Sequence, residues 1–408
     1  MAFSFNFASD DIEYDDVEDA VNTGVENLSI NDESDGPQLF EAKSLSIDEM
    51  LSSLPSTLYY NLLNIPKLPA SSGQPSSANK RDKPETITVP RREIFDIRTQ
   101  LMVEADLSSN EHEDGNESLI TGLEKGDLNP RIYEGGFKTW ECALDLAKLL
   151  SRDELDRIGD SPGNATVVEL GTGTAIPSLV LLQHLFTLPK PAETPKRVTK
   201  FVFADYNSAV LRLVTLPNIL LAWAHCQKPH QQGERAEKET EQDNEAEEKE
   251  DTQPSAHKKD QDLELDVDPE LVKAFQDGLR ARNIQLSFIS GAWSPAFVDI
   301  ALSVQKDESR TDTTDDLMVL ASETIYSPAS LRAFSETLIS LLLKRSGTSK
   351  ALIAAKKVYF GIGGGVDEFL SVLKDIEGES ESKLKISEKL DVEDAGVGRI
   401  VLEIESSQ

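Results

Sequence analysis

One short stretch limits the fold of this chain more than any other: "VVELGTGTAIPSLV", residues 167–180. An apolar run passes through Gly171 and Gly173 into Pro177 and a second apolar run, which is the pattern of a buried strand, a tight turn and a helix start. Backbone N–H groups converge at such a helix start and form a cradle for a nucleotide-like ligand. A plain strand-to-helix turn has the same pattern, so the segments that follow must decide between the two interpretations.

Short apolar strands alternate with helices around this turn. Strands are predicted at "ATVVEL", "KFVFAD", "IQLSFIS", "LMVLAS" and "ALIAAKKVYFG", and helices at "WECALDLAKLLS", 176–186, 207–224, 269–282 and 329–344. Because strand-helix-strand units cross over in a right-handed sense, this order predicts an α/β fold with a doubly wound, largely parallel, Rossmann-like sheet. "SKLKISEKL" and "GRIVLEIES" follow each other without a helix, which predicts a C-terminal antiparallel hairpin at one sheet edge.

Two acidic regions stand apart from this pattern. Residues 1–36 contain eleven Asp or Glu and no Lys or Arg, and residues 233–251 form a second, mainly acidic run. The first run carries an acidic charge that no basic residue offsets, and the second also has almost no apolar residues to offset chain entropy. We therefore predict a mostly disordered region over 1–85 and one domain over 86–408, interrupted by a disordered insertion at about 227–268. Such an insertion costs little, because loop-closure entropy rises slowly with length.

Two further segments have open interpretations. The amphipathic stretch at 44–66, "SLSIDEMLSSLPSTLYYNLLNIP", could dock on the protein's own domain, which is the commoner outcome, or on a partner. The stretch at 89–106, "VPRREIFDIRTQLMVEAD", predicts a strand or a helix.

Composition excludes several classes of protein. The formal net charge of −32 disfavours direct binding to nucleic-acid phosphates. Cys142 and Cys226 are the only cysteines, which rules out a disulfide framework and suits a reducing compartment. The N-terminus has no basic region typical of a signal peptide, and no apolar run approaches the ~18 to 20 residues of a membrane helix. We expect a soluble monomer of the cytoplasm and nucleus that binds no membrane.

The turn itself departs from the dinucleotide pattern G-x-G-x-x-G, because Ile176 occupies the position of the third glycine. The third small residue is Ala175, one position earlier, and it fits there only if its φ stays negative. Asp205 ends the next strand, where an acidic side chain can accept both ribose hydroxyl hydrogens. Since nicotinamide enzymes place an acid similarly, Asp205 indicates a ribose, and Ile176 makes a nicotinamide oxidoreductase the least favoured class.

The later strands add a possible reaction centre. "LASETIYSP" places Glu323 and Tyr326 at the carboxyl end of the fourth strand, which faces the ligand crevice in such sheets. The alternative is a helix N-terminus with Ser322 or Ser327 as its cap. Trp293 in "SGAWS" has two interpretations as well, a wall of the adenine pocket or core packing.

In combination, these motifs resemble those of the protein-histidine N-methyltransferases, which belong to the seven-β-strand superfamily and to its E/D-x-x-Y/F group. The likeness spans residues 129–404 apart from the acidic insertion, and it is carried in order by "NPRIYEGGFKTWECALDLAKLL", "ELGTGTA", "DYN", "VTLPN", "SETIY" and "YFGIGGGVDEF". The resemblance implies S-adenosylmethionine (SAM) as cofactor, no metal, and a cofactor site made of Trp140, Glu141, Cys142, Glu169, Gly171, Gly173, Asp205, Tyr206, Asn207, Ala292, Trp293 and Ser322. In that site Glu169 would face the methionine ammonium.

The resemblance also implies the reaction. Enzymes similar to this chain methylate the tele nitrogen of a histidine in a large-subunit ribosomal protein, the third in the classical numbering. Glu323 is the candidate that fixes the imidazole tautomer, and Tyr326 is a candidate wall or hydrogen-bond partner. A basic ribosomal protein would be attracted by an acidic enzyme. A protein-lysine methyltransferase of the same group and a non-catalytic SAM-binding scaffold remain alternatives.

Overall fold

The computed structural model describes residues 40–69, 85–107, 136–160, 163–189, 195, 197–227, 263–303, 315–344, 347–361, 363–379, 383–393 and 396–407. The acidic run at 1–36 and the run at 233–251 lie outside these described residues, as do residues 129–135 of the motif that precedes the glycine turn. The predictions of disorder for these parts therefore stay predictions.

The strands in chain order are β1 (Lys43–Leu45), β2 (Thr57–Pro66), β3 (Thr86–Arg92), β4 (Asn164–Leu170), β5 (Thr199–Asp205), β6 (Leu263–Asp266), β7 (Ile284–Ser290), β8 (Asp315–Ser322), β9 (Ser349–Lys356), β10 (Lys383–Val392) and β11 (Arg399–Ser407). The helices are α1 (Ile47–Ser52), α2 (Ile94–Leu107), α3 (Glu141–Asp153), α4 (Leu155–Asp160), α5 (Ile176–Thr187), α6 (Ser208–Gln227, with a π-helical turn at Leu211–Thr215), α7 (Pro269–Ala281), α8 (Pro295–Ser303), α9 (Pro328–Leu343) and α10 (Val366–Glu379). Thus the segment at 89–106 contributes both a strand and a helix.

The main sheet has the order β1-β7-β5-β4-β8-β9-β11-β10. Strands β7, β5, β4, β8 and β9 are parallel, and the β10–β11 hairpin runs antiparallel to β9 at one edge. This arrangement confirms the doubly wound α/β fold with a C-terminal hairpin. Parallel order brings the carboxyl ends of β4, β5, β7 and β8 to one edge, where ligands of such sheets bind.

The opposite edge carries an additional strand, because β1 pairs antiparallel with β7. Gly291 makes this approach possible, since a side-chain Cβ there would lie 2.6 Å from the carbonyl oxygen of Glu41. The described N-terminal segment therefore belongs to the main sheet, which has one strand more than the seven expected.

A second sheet, of order β3-β2-β6, was not predicted. Four residues of β2, Leu58, Tyr60, Leu63 and Ile65, are buried in the core, so the amphipathic segment at 44–66 docks on the protein's own domain. The proposed boundary at residue 85 falls inside this sheet, and the described folded unit reaches back to residue 40. Because β6 pairs with β2 from Leu263 onward, part of the insertion predicted at about 227–268 belongs to the described folded unit.

Helix α6 corrects the prediction about apolar runs. The helix is 20 residues long and apolar enough on average to cross a membrane by length and composition, yet 72% of the relevant window is buried inside the protein. Its residues include Leu216, Ile219 and Leu220, which belong to the same core cluster as β5 and α5. A core helix of a folded domain passes the same test, and the packing of α6 accounts for its composition.

Candidate active site

The glycine turn lies at the carboxyl end of β4, and Asp205 holds it from the neighbouring strand. Asp205 accepts the backbone N–H of Gly173 through Oδ2 (3.0 Å) and that of Asn207 through Oδ1 (3.1 Å). The side chain of Asn207 in turn accepts the N–H of Ala209 at the start of α6 (2.9 Å). Asp205 thus stands beside the turn as expected, whereas the amide of Asn207 serves as a helix cap.

The π-helical turn of α6 holds the other side of the glycine turn. Thr215 donates its hydroxyl hydrogen to the carbonyl oxygen of Gly173 (2.7 Å), and Asn218 donates its amide to that of Thr174 (3.0 Å). Asn218 also accepts the backbone N–H of Arg92 (2.8 Å), which ties the small sheet to the turn. These contacts explain "VTLPN" physically, since its threonine and asparagine hold the turn's carbonyl groups.

Ala175 contradicts the prediction of a negative φ. Its φ is +61°, in the left-handed region, and its side chain is fully buried at the N-terminus of α5. The backbone N–H of Ala175 donates to the carbonyl of Thr172 (2.7 Å), so the tight turn imposes the conformation. The cost is about 1 to 2 kcal/mol for a residue with a Cβ, which the surrounding packing of the turn must offset.

Glu169 lies beneath the turn and is almost completely buried. Its Oε2 accepts the backbone N–H of Ser178 in the first turn of α5 (3.2 Å), where Ala175 provides no side-chain cap. Its Oε1 is buried without a hydrogen-bond partner among the described residues. Burial raises the pKa of this carboxyl group to about 8, although the hydrogen bond from Ser178 opposes the shift.

This raised pKa predicts a specific pH dependence of stability. The folded protein keeps a proton on Glu169 that the unfolded chain loses above pH ~4.5, so the free energy of unfolding should fall as pH rises from ~5 to ~8, by at most about 1.4 kcal/mol per pH unit. Urea denaturation of the wild type and of Glu169→Gln at pH 5, 6, 7 and 8 measures this contribution. Parallel pH profiles for the two proteins would refute it.

Glu323 follows β8 directly and lies on the far side of the turn. Its φ is +56°, and its backbone N–H donates to the carbonyl of Ala354 in β9 (3.0 Å). Left-handed non-glycine residues are uncommon and concentrate at functional sites. Helix α9 begins only at Pro328, with Ser327 at its cap and no side-chain hydrogen bond there, so a role for Glu323 in the first turn of that helix is excluded.

The carboxylate of Glu323 contacts Tyr359, which sequence analysis did not single out. The Tyr359 hydroxyl donates to Oε2 (2.5 Å), and Oε1 is buried without a partner among the described residues. Tyr326 lies beside this pair, its ring edge-on to that of Tyr359 with centroids 6.3 Å apart. The structure therefore brings Glu323 and Tyr326 together and adds Tyr359 from the loop after β9.

The segment at the start of α3 lies next to Glu323. Burial and then the negative charge of Glu323 hold the pKa of the Cys142 thiol well above its usual value, so the thiol stays protonated beside the carboxylate. Trp140 is half-buried with Lys356 Nζ 5.8 Å above its ring, and Glu141 pairs with Arg399 (3.5 Å). Cys142 thus lies on the Glu323 side of the crevice.

The residues at the ends of β5 and β7 form the opposite wall. Phe40 contacts Tyr206 edge-on (centroids 5.7 Å apart), and its carbonyl oxygen accepts the backbone N–H of Ala292 (2.9 Å). Trp293 packs edge-on against Phe297 (5.2 Å) and against an aromatic ring of α9, which is the core-packing arrangement. Phe40, unnoticed in the sequence, therefore borders the ribose side of the crevice.

Several buried polar atoms at the carboxyl ends of the parallel strands have no hydrogen-bond partner among the described residues. They are Glu169 Oε1, Thr172 Oγ1, Ser290 Oγ, Glu323 Oε1 and Thr324 Oγ1. The glycine turn also touches the segment after β8, because a Cβ on Gly171 would lie 2.7 Å from the Thr324 methyl group. Unpaired buried groups cost free energy unless a ligand satisfies them, so the donor and acceptor set fits a polar cofactor such as SAM.

A separate cavity lies between α3, α4, β9 and β11. Its charged residues pair with each other: Lys350 with Glu154 and Glu403, and Lys389 with Glu403 (2.7 Å). This is a salt-bridge network away from the strand ends, so the cofactor site is the edge that carries Asp205 and Glu323. The fold and this edge define a SAM-dependent methyltransferase.

Comparison with known proteins identifies the family. The chain is 35% identical over 318 residues to histidine protein methyltransferase 1 of Saccharomyces cerevisiae, covering 78% of this chain and 76% of the relative. It is 36% identical over 296 residues to that of Schizosaccharomyces pombe, covering 72% and 71%, and 27% identical to the Bos taurus homologue, covering 68% and 57%. The chain belongs to the histidine protein methyltransferase family and is an enzyme that methylates protein histidine. No family model matches the chain.

Solved structures resemble this chain only distantly. The rRNA methyltransferase aviRa from Streptomyces viridochromogenes has a TM-score of 0.31 at 10% identity, covering 64% of this chain and 84% of its own. The methyltransferase domain of bacterial CtHen1 has a TM-score of 0.30 at 10% identity, covering 64% and 99%. The fold assignment therefore rests on the strand order itself.

Proposed function

We propose that this enzyme transfers a methyl group from SAM to the tele nitrogen of a histidine in a basic large-subunit ribosomal protein. One observation carries the role of Glu323: Tyr359 holds Oε2, and Oε1 is buried at the end of β8 with no partner among the described residues. That acceptor suits the N–H of one imidazole nitrogen and leaves the lone pair of the other nitrogen free. Glu323 would accept Nδ1–H, and Nε2, the tele nitrogen, would attack.

The cofactor would lie against the glycine turn, between Asp205 and Glu323. We assign the ribose hydroxyls to Asp205, whose carboxylate oxygens are hydrogen-bond acceptors beside the turn, and the ribose side of the wall to Tyr206. Glu169 Oε1 lies under the turn, and the methionine ammonium would favour loss of the Glu169 proton, so that Oε1 could accept from it. Cys142 marks the reacting end beside Glu323.

The chemistry requires positioning more than a strong base. When bound, SAM supplies a sulfonium methyl carbon: the imidazole lone pair forms the new N–C bond, and sulfur keeps the electron pair of the broken S–C bond. Neutral imidazole, with a reference pKa of ~6.5, has that lone pair at neutral pH. Glu323 fixes the tautomer and stabilises the positive charge that the ring gains, and it can accept the Nδ1 proton once the methyl group is on Nε2. Tyr326 would pack against one side of the substrate imidazole.

The same geometry disfavours a lysine target. An amine must lose its proton before it can attack, and an adjacent carboxylate favours the charged ammonium form. The contacts described for Glu323 are with the Tyr359 hydroxyl and the protonated Cys142 thiol, and both groups are neutral. Imidazole does not first have to lose a proton, because its neutral form is abundant at neutral pH.

The charge of the enzyme fits a basic protein partner. The formal net charge of −32 produces long-range attraction for a ribosomal protein, which is strongest at low ionic strength. A target of this kind is made in the cytoplasm and assembled in the nucleus, so we also propose that the enzyme works in both.

Labelling tests the proposed target. The purified enzyme is incubated with methyl-tritiated SAM and with ribosomal subunits or free ribosomal proteins from cells that lack the enzyme. The proposal expects one labelled protein of the large subunit. Label confined to small-subunit proteins, or to no ribosomal protein, would remove the ribosomal target.

Asp205→Ala tests the cofactor site. The substitution removes a charge-assisted acceptor and two hydrogen bonds that hold the turn, so SAM affinity should fall by roughly 1.5 to 3 kcal/mol, or about 10- to 150-fold. Calorimetry measures the dissociation constant, with Asp299→Ala on the exposed face of α8 as matched control. Equal SAM affinity in the two variants would exclude Asp205 from the cofactor site.

A further inference from the structure

The hydrogen bond between Tyr359 and Glu323 has a defined direction. The backbone N–H of Lys356 donates to the Tyr359 hydroxyl oxygen (3.2 Å), so the hydroxyl uses its own hydrogen to reach Glu323 Oε2 (2.5 Å). Burial, and then the charge of Glu323, hold the pKa of Tyr359 well above its usual value. The hydroxyl therefore remains a donor, and Oε2 remains an acceptor that is already occupied.

The loop that carries Tyr359 is fastened to the segment that carries Glu323. The backbone N–H of Tyr359 donates to the carbonyl of Gly364 (3.2 Å), closing the glycine-rich loop between β9 and α10. A Cβ on Gly364 would lie 2.1 Å from the carbonyl oxygen of Tyr326 and 2.6 Å from that of Ile325. Only glycine permits this approach, which packs Gly364 against the backbone of the segment that follows Glu323.

Glu323 itself is fixed on its backbone side. Its left-handed φ of +56° and its hydrogen bond to Ala354 O set the direction in which the side chain leaves the strand end. Rotation about the terminal side-chain bond would still exchange the two carboxylate oxygens, because that torsion is broad and roughly two-fold. The hydrogen bond from the Tyr359 hydroxyl distinguishes Oε2 from Oε1.

We propose that Tyr359 is a positioning residue that acts through Glu323 and selects the imidazole nitrogen that is methylated. The inference rests on the proposed function, because it requires a histidine whose ring donates to Glu323. With Oε2 occupied, only Oε1 faces the substrate ring, and one ring orientation is satisfied. Without the hydroxyl, the carboxylate has two free oxygens and more than one orientation, so both ring tautomers can be held.

Tyr359→Phe tests this inference because it removes one oxygen atom and keeps the ring. We expect kcat to fall about tenfold or more, the dissociation constant of SAM to stay within twofold, and the product to become a mixture of tele- and pros-methylhistidine where the wild type gives a single isomer. Tyr60→Phe, the same change at a buried tyrosine of β2, is the matched control and should resemble the wild type. Because only folded enzyme makes product, the isomer ratio remains interpretable if Tyr359→Phe lowers stability.

A double-mutant cycle separates an action through Glu323 from an independent effect. In a Glu323→Gln background, Tyr359→Phe should change kcat by less than twofold, since the carboxylate that it positions is gone. A full additional loss in that background, or a single isomer from Tyr359→Phe, would overturn the inference. A wild-type enzyme that methylated no histidine would instead overturn the proposed function, which the wild-type arm reveals by itself.

Discussion

Glu323→Gln is expected to lower kcat by one to several orders of magnitude while SAM affinity changes little. Glutamine keeps the shape of the side chain, but it can present an amide donor where the imidazole N–H needs an acceptor, and it removes the negative charge that stabilises the methylated ring. Each tenfold loss corresponds to about 1.4 kcal/mol of barrier. Single-turnover rates with saturating SAM measure the change, and calorimetry measures SAM affinity.

The control for this variant is Glu336→Gln, which makes the same change on the exposed face of α9 and should leave the rate unaltered. If Glu323→Gln abolished SAM binding, Glu323 would be a cofactor residue or a folding residue. If it reduced the rate less than twofold, Glu323 would not orient the substrate at all.

The largest expected effect on stability is that of Arg92→Met. The Arg92 side chain is fully buried and donates to Asp96 Oδ2 (2.6 Å), to the carbonyl of Leu213 (2.9 Å) and to Gln100 Oε1 (2.8 Å). Its removal leaves the buried carboxylate of Asp96 and a carbonyl of the π-helical turn unpaired. Breaking a buried ion pair in this way costs about 3 to 5 kcal/mol, which urea denaturation measures as a lower free energy of unfolding.

Two comparisons sharpen this test. The double replacement of Arg92→Met with Asp96→Leu should recover much of the loss, because no charge remains buried without a partner. Arg332→Met breaks a pair on the exposed face of α9 and should leave the free energy of unfolding nearly unchanged. A loss below about 1 kcal/mol for Arg92→Met would show that the small sheet and the π-helical turn are not coupled through this side chain.

The central sheet was predictable because its signals are local. Short apolar runs mark the strands β4, β5, β7 and β8, and Gly171 and Gly173 mark the turn after β4. The two acidic residues that matter, Asp205 and Glu323, end such runs, so their common edge follows from parallel order alone. The family resemblance added the cofactor and the reaction class.

The small sheet was not predictable because its partners are remote. β2 pairs with β3 across a Pro- and Ser-rich linker and with β6 about 200 residues later, and no local pattern encodes such pairings. Leu62 is exposed in β2, which breaks the alternation of buried and exposed residues that marks a strand.

The sequence also did not reveal residue roles that depend on contacts between distant parts of the chain. Tyr359 is one aromatic residue in a glycine-rich loop, and only its contact with Glu323, 36 residues away, gives it significance. Thr215 and Asn218 belong to a helix, and the π-helical turn that aims them at the glycine turn leaves no trace in hydrophobic periodicity. Ala175 shows the converse case, because the tight turn overrides the ordinary preference for negative φ.

The most direct test of this account is the chemical identity of the methylated residue. Large-subunit proteins labelled by the enzyme with methyl-tritiated SAM are hydrolysed in acid, and the amino acids are separated against standards of tele-methylhistidine, pros-methylhistidine and the methyllysines. The account predicts that the label elutes with tele-methylhistidine from the wild type and that Glu323→Gln yields little of it. Label in methyllysine, or in pros-methylhistidine from the wild type, would contradict the assignment of Glu323 as the residue that holds Nδ1–H.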